Sequence, residues 1–551
     1  MTDPGSRSTG SWRDRYDAAR AQGVPLDPSS EPVKGVDAYP TSYDRSHLLI
    51  TVSDGELDDR LALLRDAGSD FGWGIQLQNM DGSELTPEDA SARAQRWREA
   101  MDLPIIHRVE IFPQPSPDKD DQPVPPIDAW RLLQRARARA AARGDGPAVP
   151  GVSLDHVMTV DPFGGGTNPF GGGTNPFGGG TNPFGGGTNP FGGRTNDLGM
   201  VGYAVPGTGG RQVVDYAGAG PQRSAVLSAG GRRPVVAILD TGCGSHEWLP
   251  DDIVTRYPVV DGRVVGDADP STDPEVFPDQ AGPYDGMLDP ASGHGTFIAG
   301  IIRQLAPEAD IVAVRVANSM GALLEGDFMM AVRSLVKWMM TPEPAGGRLI
   351  DVINLSLGYY HETPDDDLFD RTLAEMLLVA RRNGCAVVCS AGNDATDRPA
   401  FPAALWNWTG ADFYVDDSVD AAPHTAVGAL NPAHRSVALF SNIGGWVKVY
   451  APGVSVLSIT PGFVGGTQAL TRNDREGLRR ESLDPDDFRG GYAVWSGTSF
   501  AAPYIAGSMA RSITDPLMRG QANLASERIA NLRAAEGAVI ADWDIAEIAS
   551  M

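Results

Sequence analysis

At 551 residues the chain is longer than one ordinary hydrophobic core and predicts two or three folding units joined by linkers. Its 45 basic against 71 acidic residues give a net charge of -26, which excludes the clustered Lys and Arg of a nucleic-acid surface. The acidic excess serves solubility, or alternatively holds a structural calcium through grouped carboxylates and carbonyls. With 41% hydrophobic and 21% charged residues most of the chain is expected to be globular, while 66 Gly and 43 Pro mark irregular stretches.

The first twenty residues, MTDPGSRSTGSWRDRYDAAR, hold no apolar core of the kind a signal peptide needs, and no later run suits a bilayer. The expectation is a soluble, cytoplasmic protein without membrane contact, with export by a non-classical route left open. Residues 1–42, rich in Pro, Ser and charge, predict poor order. Between 43 and 161 the pattern changes to strand HLLITV (47–52), helix ELDDRLALLRDAG, strand WGIQLQ, strand HRVEIFP (107–113), helix DAWRLLQRARARAAA and strand VSLDHVMTV (152–160). That β-α-β-β-α-β order is the split βαβ of a small α+β, ferredoxin-like domain.

A heptapeptide, PFGGGTN, then repeats five times over 162–196, with Arg194 replacing one Gly. Pro and glycine triplets forbid a helix, so the segment reads as a flexible tether. Phe163, Phe170, Phe177, Phe184 and Phe191 are either docking points for a regulatory partner or ornaments of an expanded spacer.

From 197 to 520 short apolar strands alternate with amphipathic helices: VVAILD, IVAVRV, a helix around Gly326 to Met340, DVINLSLG, a helix around Asp366 to Asn383, and CAVVCSAGN. The alternation predicts a parallel sheet with helices on both faces, and a helical tail follows over 521–551. Ligands of such sheets sit at the carboxyl ends of the strands. The three cysteines form no disulfide framework, and Cys385 and Cys389 would stand roughly 13 Å apart on one strand, beyond the ~7 Å reach of a disulfide.

Four pieces carry chemistry. In VVAILDTGCG (235–244) five apolar residues deliver Asp240 to the mouth of the sheet. In SGHGTFIAGII (292–302) two glycines bracket His294, expected to face outward from a helix start. In SGTSFAAPYIAG (496–507) Ser499 opens a helix, where backbone N–H groups favour developing negative charge. In CSAGND (389–394) the Asn393 carboxamide ends a strand and could donate to a tetrahedral oxyanion, with the Ser499 N–H as second donor. Taken singly, Asp240 reads as a cap or turn residue, His294 as structural or exposed, and Ser499 as an N-cap.

Together, in the order Asp, His, Ser, the pieces resemble the subtilase family over about 234–507. Further segments agree: RPAFPAA, VGAL, LFSNIGG and VYAPGVSV follow in order, and DVINLSLG (351–358) resembles the strand that pairs with substrate backbone, implying substrate contacts at Leu355, Ser356, Leu357 and Gly358. The resemblance implies an α/β subtilisin-like fold and a serine endopeptidase acting on proteins or peptides. It implies Asp240, His294 and Ser499 as catalytic triad, Asn393 as oxyanion donor, and no cofactor for the chemistry. A catalytically silent binding or sensing module is the alternative.

Cys243, Gly244 and Tyr359 depart from the family pattern, and the acidic stretch from Asp267 to Asp289 and the charged one from Thr471 to Arg489 read as surface insertions, with calcium or substrate contact as alternative. The 43–161 domain resembles the inhibitory propeptides of subtilases, or is an unrelated accessory module.

Overall fold

The computed structural model of the chain describes residues 12–19, 23–52, 56–115, 123–160, 203, 210–224, 226–282, 286–363, 371–408, 417, 420–467, 472–475, 477–481, 488–522 and 524–542. The heptapeptide tether lies outside the described residues.

The first unit contains β1 (Ser42–Val52), α1 (Leu57–Ser69), β2 (Trp73–Gln78), α2 (Pro87–Met101), β3 (Ile105–Pro113), α3 (Ala129–Arg143) and β4 (Val152–Thr159). The strands stand in the order β4-β1-β3-β2, every neighbour antiparallel. Leu61 and Leu64 of α1 and Trp130, Leu133 and Ala136 of α3 share a core with Leu48 and Ile50 of β1 and Leu154 of β4. The sequence pattern joins β2 directly to β3, but α2 fills that connection. Thr86 caps it by accepting from the Asp89 N–H, and Pro87 takes the first turn, where no N–H is needed. Only Ala90 of the helix is buried, so it has no apolar stripe to betray it.

Residues 23–42, expected to be poorly ordered, lie against this unit. Val24 and Pro25 pair with Tyr43 and Ser42, Leu26 is buried, and Glu31 bridges Arg131 and Arg135 of α3. Composition misled here because the segment spends its charges on named partners.

In the second unit seven parallel strands stand in the order Val449–Pro452, His424–Leu430, Ala386–Ser390, Val352–Leu355, β5 (Val235–Asp240), Asp310–Arg315 and Val254–Arg256. Both faces are covered, which is why the strands are nearly continuous apolar runs. Val236 and Ile238 of β5 face Phe297 and Ile298 of α4 (His294–Leu305) and Ile505 and Met509 of a long helix, Thr498–Met518. Its alternate residues, Val235, Ala237 and Leu239, face Phe328 and Leu335 of the Glu325–Met340 helix and Leu377 of Thr372–Arg382. A short strand, Ala322–Leu324, leaves this unit and pairs antiparallel with β4 of the first. Among the described residues no helix is long and apolar enough to cross a membrane.

The C-terminal helix Ala525–Asp542 is no free tail: Ile529, Leu532, Ala535 and Val539 belong to the core beneath Thr498–Met518. Leu532→Ala should therefore cost about 2–5 kcal/mol in denaturant unfolding. A change within about 0.5 kcal/mol, as at a surface site, would make the helix an accessory.

Candidate active site

Because the sheet is parallel, the carboxyl ends of β5, Val352–Leu355 and Ala386–Ser390 open at one edge, where Asp240 is joined to His294 and Asn393 to the start of the helix that carries Ser499. Asp240 ends β5 and is fully buried. Its Oδ1 accepts the Thr241 N–H at 2.7 Å and lies 2.8 Å from Nδ1 of His294. A carboxylate can only accept, so the proton of this bond sits on Nδ1 and the imidazole presents Nε2 as its base.

His294 opens α4 directly after Gly293, whose φ of 83° is the left-handed conformation that a side chain resists. Gly295 serves another purpose: a Cβ there would stand 2.1 Å from the Gly242 carbonyl, so its absence lets the His294 loop reach the Asp240 loop. The imidazole does not face outward as expected. It is buried, with ring centroids of Trp495 and Phe500 at 5.7 and 5.2 Å. Its Nε2 has no hydrogen-bond partner among the described residues.

Ser499 is the second residue of its helix and is buried beside Phe500. Its Oγ donates to the Ser356 carbonyl at 3.4 Å, and its carbonyl accepts from Ser356 Oγ at 2.8 Å. Asn393 is fixed by the same helix start: Oδ1 accepts the Thr498 N–H and the Thr498 hydroxyl, both at 2.9 Å. With the oxygen so committed, the carboxamide presents Nδ2 as its donor.

Leu355, Ser356 and Leu357 are buried, and Gly358 stands where an extended chain can pair. The first unit takes that place. Gly358 N–H donates to Thr159 O at 2.9 Å, Thr159 N–H returns to Gly358 O at 3.0 Å, and Val160 N–H reaches Gly321 O at 2.8 Å. With Ala322–Leu324 on its other side, the end of β4 is added as a strand to the cleft.

Two arrangements escaped the sequence reading. The stretch from Asp267 to Asp289 is not merely surface: Glu275 is buried and bonds Thr241 Oγ1 at 2.5 Å and Thr296 Oγ1 at 2.6 Å, directly behind Asp240 and His294. An acidic, Pro-rich run carries no sign of such burial. The second is a cluster between the units, where His156 Nδ1 lies 2.6 Å from Glu325 and Nε2 2.7 Å from Glu362. Tyr359 donates to Glu325 at 2.6 Å, and Arg137 stands 3.6 Å from Glu362.

Burial would push the His156 imidazole down, but the two carboxylates outweigh it and raise it to about 10. His361, by contrast, is pushed down to about 4 by burial. Ligand atoms of His156, His361 and Glu362 come within 4.8 Å of one another, close enough for a metal. A proton on His156 together with Arg137 already balances Glu325 and Glu362, however, and a dication would leave the buried cluster with excess positive charge.

Residues 231–521 match the model of the subtilase family, Peptidase S8, and all four residues of the constellation fall within them. An intracellular serine protease of Paenibacillus polymyxa is 28% identical over 312 residues, 54% of this chain and 70% of that protein. The major intracellular serine protease of Bacillus subtilis (strain 168) is 26% identical over 294 residues, 51% of this chain and 68% of the other. A solved structure of a cold adapted subtilisin-like serine proteinase is 22% identical, covers 54% of this chain and 82% of that one, and has a TM-score of 0.31. The buried Asp240–His294 bond has a direct signature: a proton NMR signal well downfield of the amides, lost in Asp240→Ala. Its persistence in that variant would exclude the bond as its origin.

Proposed function

The chain belongs to the subtilase family of serine endopeptidases, and from that premise we propose how its residues divide the work of cleaving a peptide bond. Ser499 Oγ attacks the scissile carbonyl while His294 Nε2 takes its proton. Asp240, bonded to Nδ1, holds the ring and stabilises the imidazolium. Asn393 Nδ2 and the Ser499 N–H stabilise the oxyanion, and His294 then protonates the leaving amine. Water cleaves the resulting ester between Ser499 and the acyl half of the substrate, with His294 again as base. The observation that carries this reading is the buried 2.8 Å bond from His294 to Asp240, at the same sheet edge as a helix-opening serine tied through Thr498 to Asn393.

Substrate in this reading is an extended protein or peptide chain that pairs with Leu355 to Gly358 as Thr159 does. Two relatives are named as intracellular proteases, which supports the same setting for this chain.

The first unit then acts as a restraint. Its last strand fills the place of substrate, and the contacts that hold it are internal to the fold. Asp155 is buried, accepts the Gly326 N–H at 2.9 Å at the start of Glu325–Met340, and is paired with Arg108, which also reaches Asp327. Leu49, Ile106, Met158 and Val160 join the core of the second unit. Protonated His156 between Glu325 and Glu362 completes the hold. Because its imidazole is raised from 6.5 to about 10, this contribution is fully present below about pH 6.5 and is lost as pH rises through about 10.

Ser499→Ala should abolish hydrolysis of a denatured protein substrate, and Asn393→Ala should lower kcat by roughly 100–1,000-fold at little-changed KM, the order a subtilisin loses with that donor. Activity surviving in Ser499→Ala would overturn the assignment. For the restraint, His156→Gln at pH 7 should speed active-serine labelling by fluorophosphonate at least about tenfold over the wild type. The ratio of the two rates should fall towards one above pH 10, and a ratio of one throughout would remove His156 from the restraint.

A further inference from the structure

We propose that Glu275 is a positioning residue for the reaction: its ionised carboxylate claims the Thr241 hydroxyl proton and ties the Asp240 loop to the His294 loop, leaving the Asp240 charge for the imidazolium. The inference deepens the proposed triad and rests on it.

Thr241 Oγ1 accepts the Gly295 N–H at 2.8 Å and lies 2.5 Å from Glu275 Oε1 and 3.2 Å from Asp240 Oδ1. A hydroxyl has one proton, so it can donate to Glu275 or to Asp240 but not to both. Thr296 Oγ1 accepts the Gly244 N–H at 2.7 Å and donates to Glu275 Oε2 at 2.6 Å. Glu275 thus bridges the residue after Asp240 and the residue two beyond His294. With Glu275 ionised, both threonine protons point to it, and Asp240 Oδ1 keeps the Thr241 N–H and the His294 Nδ1–H as its strong donors. With Glu275 protonated, the acid must itself donate to one threonine. If that is Thr241, the hydroxyl turns to Asp240 and withdraws part of the charge that stabilises imidazolium.

The segment is built to hold this group. Asp273 Oδ1 accepts the Glu275 N–H at 2.9 Å, and its other oxygen accepts the Tyr257 hydroxyl. The charges and titratable groups facing Glu275 are Asp273 on its own segment, Asp240 and Cys243 after β5, Tyr257, Arg315 across Gly242, and Arg211, which is buried over the Trp495 ring. Burial raises the Glu275 carboxyl to about 7, with Asp273 and Asp240 adding to it and the two threonine hydroxyls opposing. Its ionisation therefore falls in the range, between about pH 5 and 8, in which histidine side chains in general change charge.

The test is the pH profile of kcat/KM on a peptide substrate. In the wild type the ascending limb should be steeper than one proton allows, because His294 and Glu275 both ionise along it. Glu275→Gln, permanently neutral, should show a one-proton limb displaced to lower pH by about one unit, a reduced plateau kcat and an unchanged KM. Glu275→Asp keeps the charge and should keep the wild-type limb. A Glu275→Gln profile that superimposes on the wild type after scaling would overturn the proposal, since a merely structural loss lowers the plateau without moving the limb. Should Glu275→Gln not fold, the wild-type slope decides, and a one-proton limb would overturn it. Wild-type enzyme that takes up no fluorophosphonate would sink the triad itself, whereas enzyme that labels with an unmoved limb sinks only the role of Glu275.

Discussion

The structure depends on keeping one hydrogen-bonded pair, Asp240 and His294, out of water at the edge of a parallel sheet. A buried carboxylate is costly unless its lone pairs are met, and here the Thr241 N–H and the His294 Nδ1–H meet one oxygen. That requires two loops from different elements to touch, which Gly295 permits against the Gly242 carbonyl and Glu275 reinforces through two threonines. The aromatic rings of Trp495 and Phe500 then close over the imidazole. In the proposed mechanism this enclosure favours reactivity, because a dry, pre-oriented base needs little reorganisation when charge develops.

The same sheet edge explains how the first unit docks. The backbone groups of Gly358 and Gly321 pair with the end of β4, and Ala322–Leu324 pairs with the strand itself. The body behind β4 adds further contacts, notably Asp155 on the Gly326 N–H and His156 between two glutamates. These make the pairing of β4 a property of a folded domain rather than of a sequence alone.

Much of this was legible in the residues. The strand ending in Asp240, the strand that stops three residues before Asn393, and the helices starting at His294 and one residue before Ser499 announce themselves because apolar runs stop at small turn residues, and their order is that of a known family. That the sheet is parallel followed from the alternation of runs and helices, although its seven strands did not. What escaped depends on partners distant in sequence. Helix Pro87–Met101 buries only Ala90, so periodicity is silent there despite a sound cap at Thr86. Residues 23–42 look disordered until Glu31 meets Arg131 and Arg135. Glu275 belongs to a run whose composition reads as solvated surface, and only the fold brings it to Thr241 and Thr296. The outward-facing His294 expected from its helix start is buried because aromatic residues two hundred positions away pack on it.

Peptide mapping by mass spectrometry after exposure of the full chain to a fluorophosphonate tests whether the Asp240–His294 pair activates Ser499. A nucleophile activated by the buried Asp240–His294 pair predicts a single adduct, on Ser499, that disappears in His294→Ala although the serine is still present. An adduct on another residue, or one on Ser499 that forms as fast without His294, would contradict it.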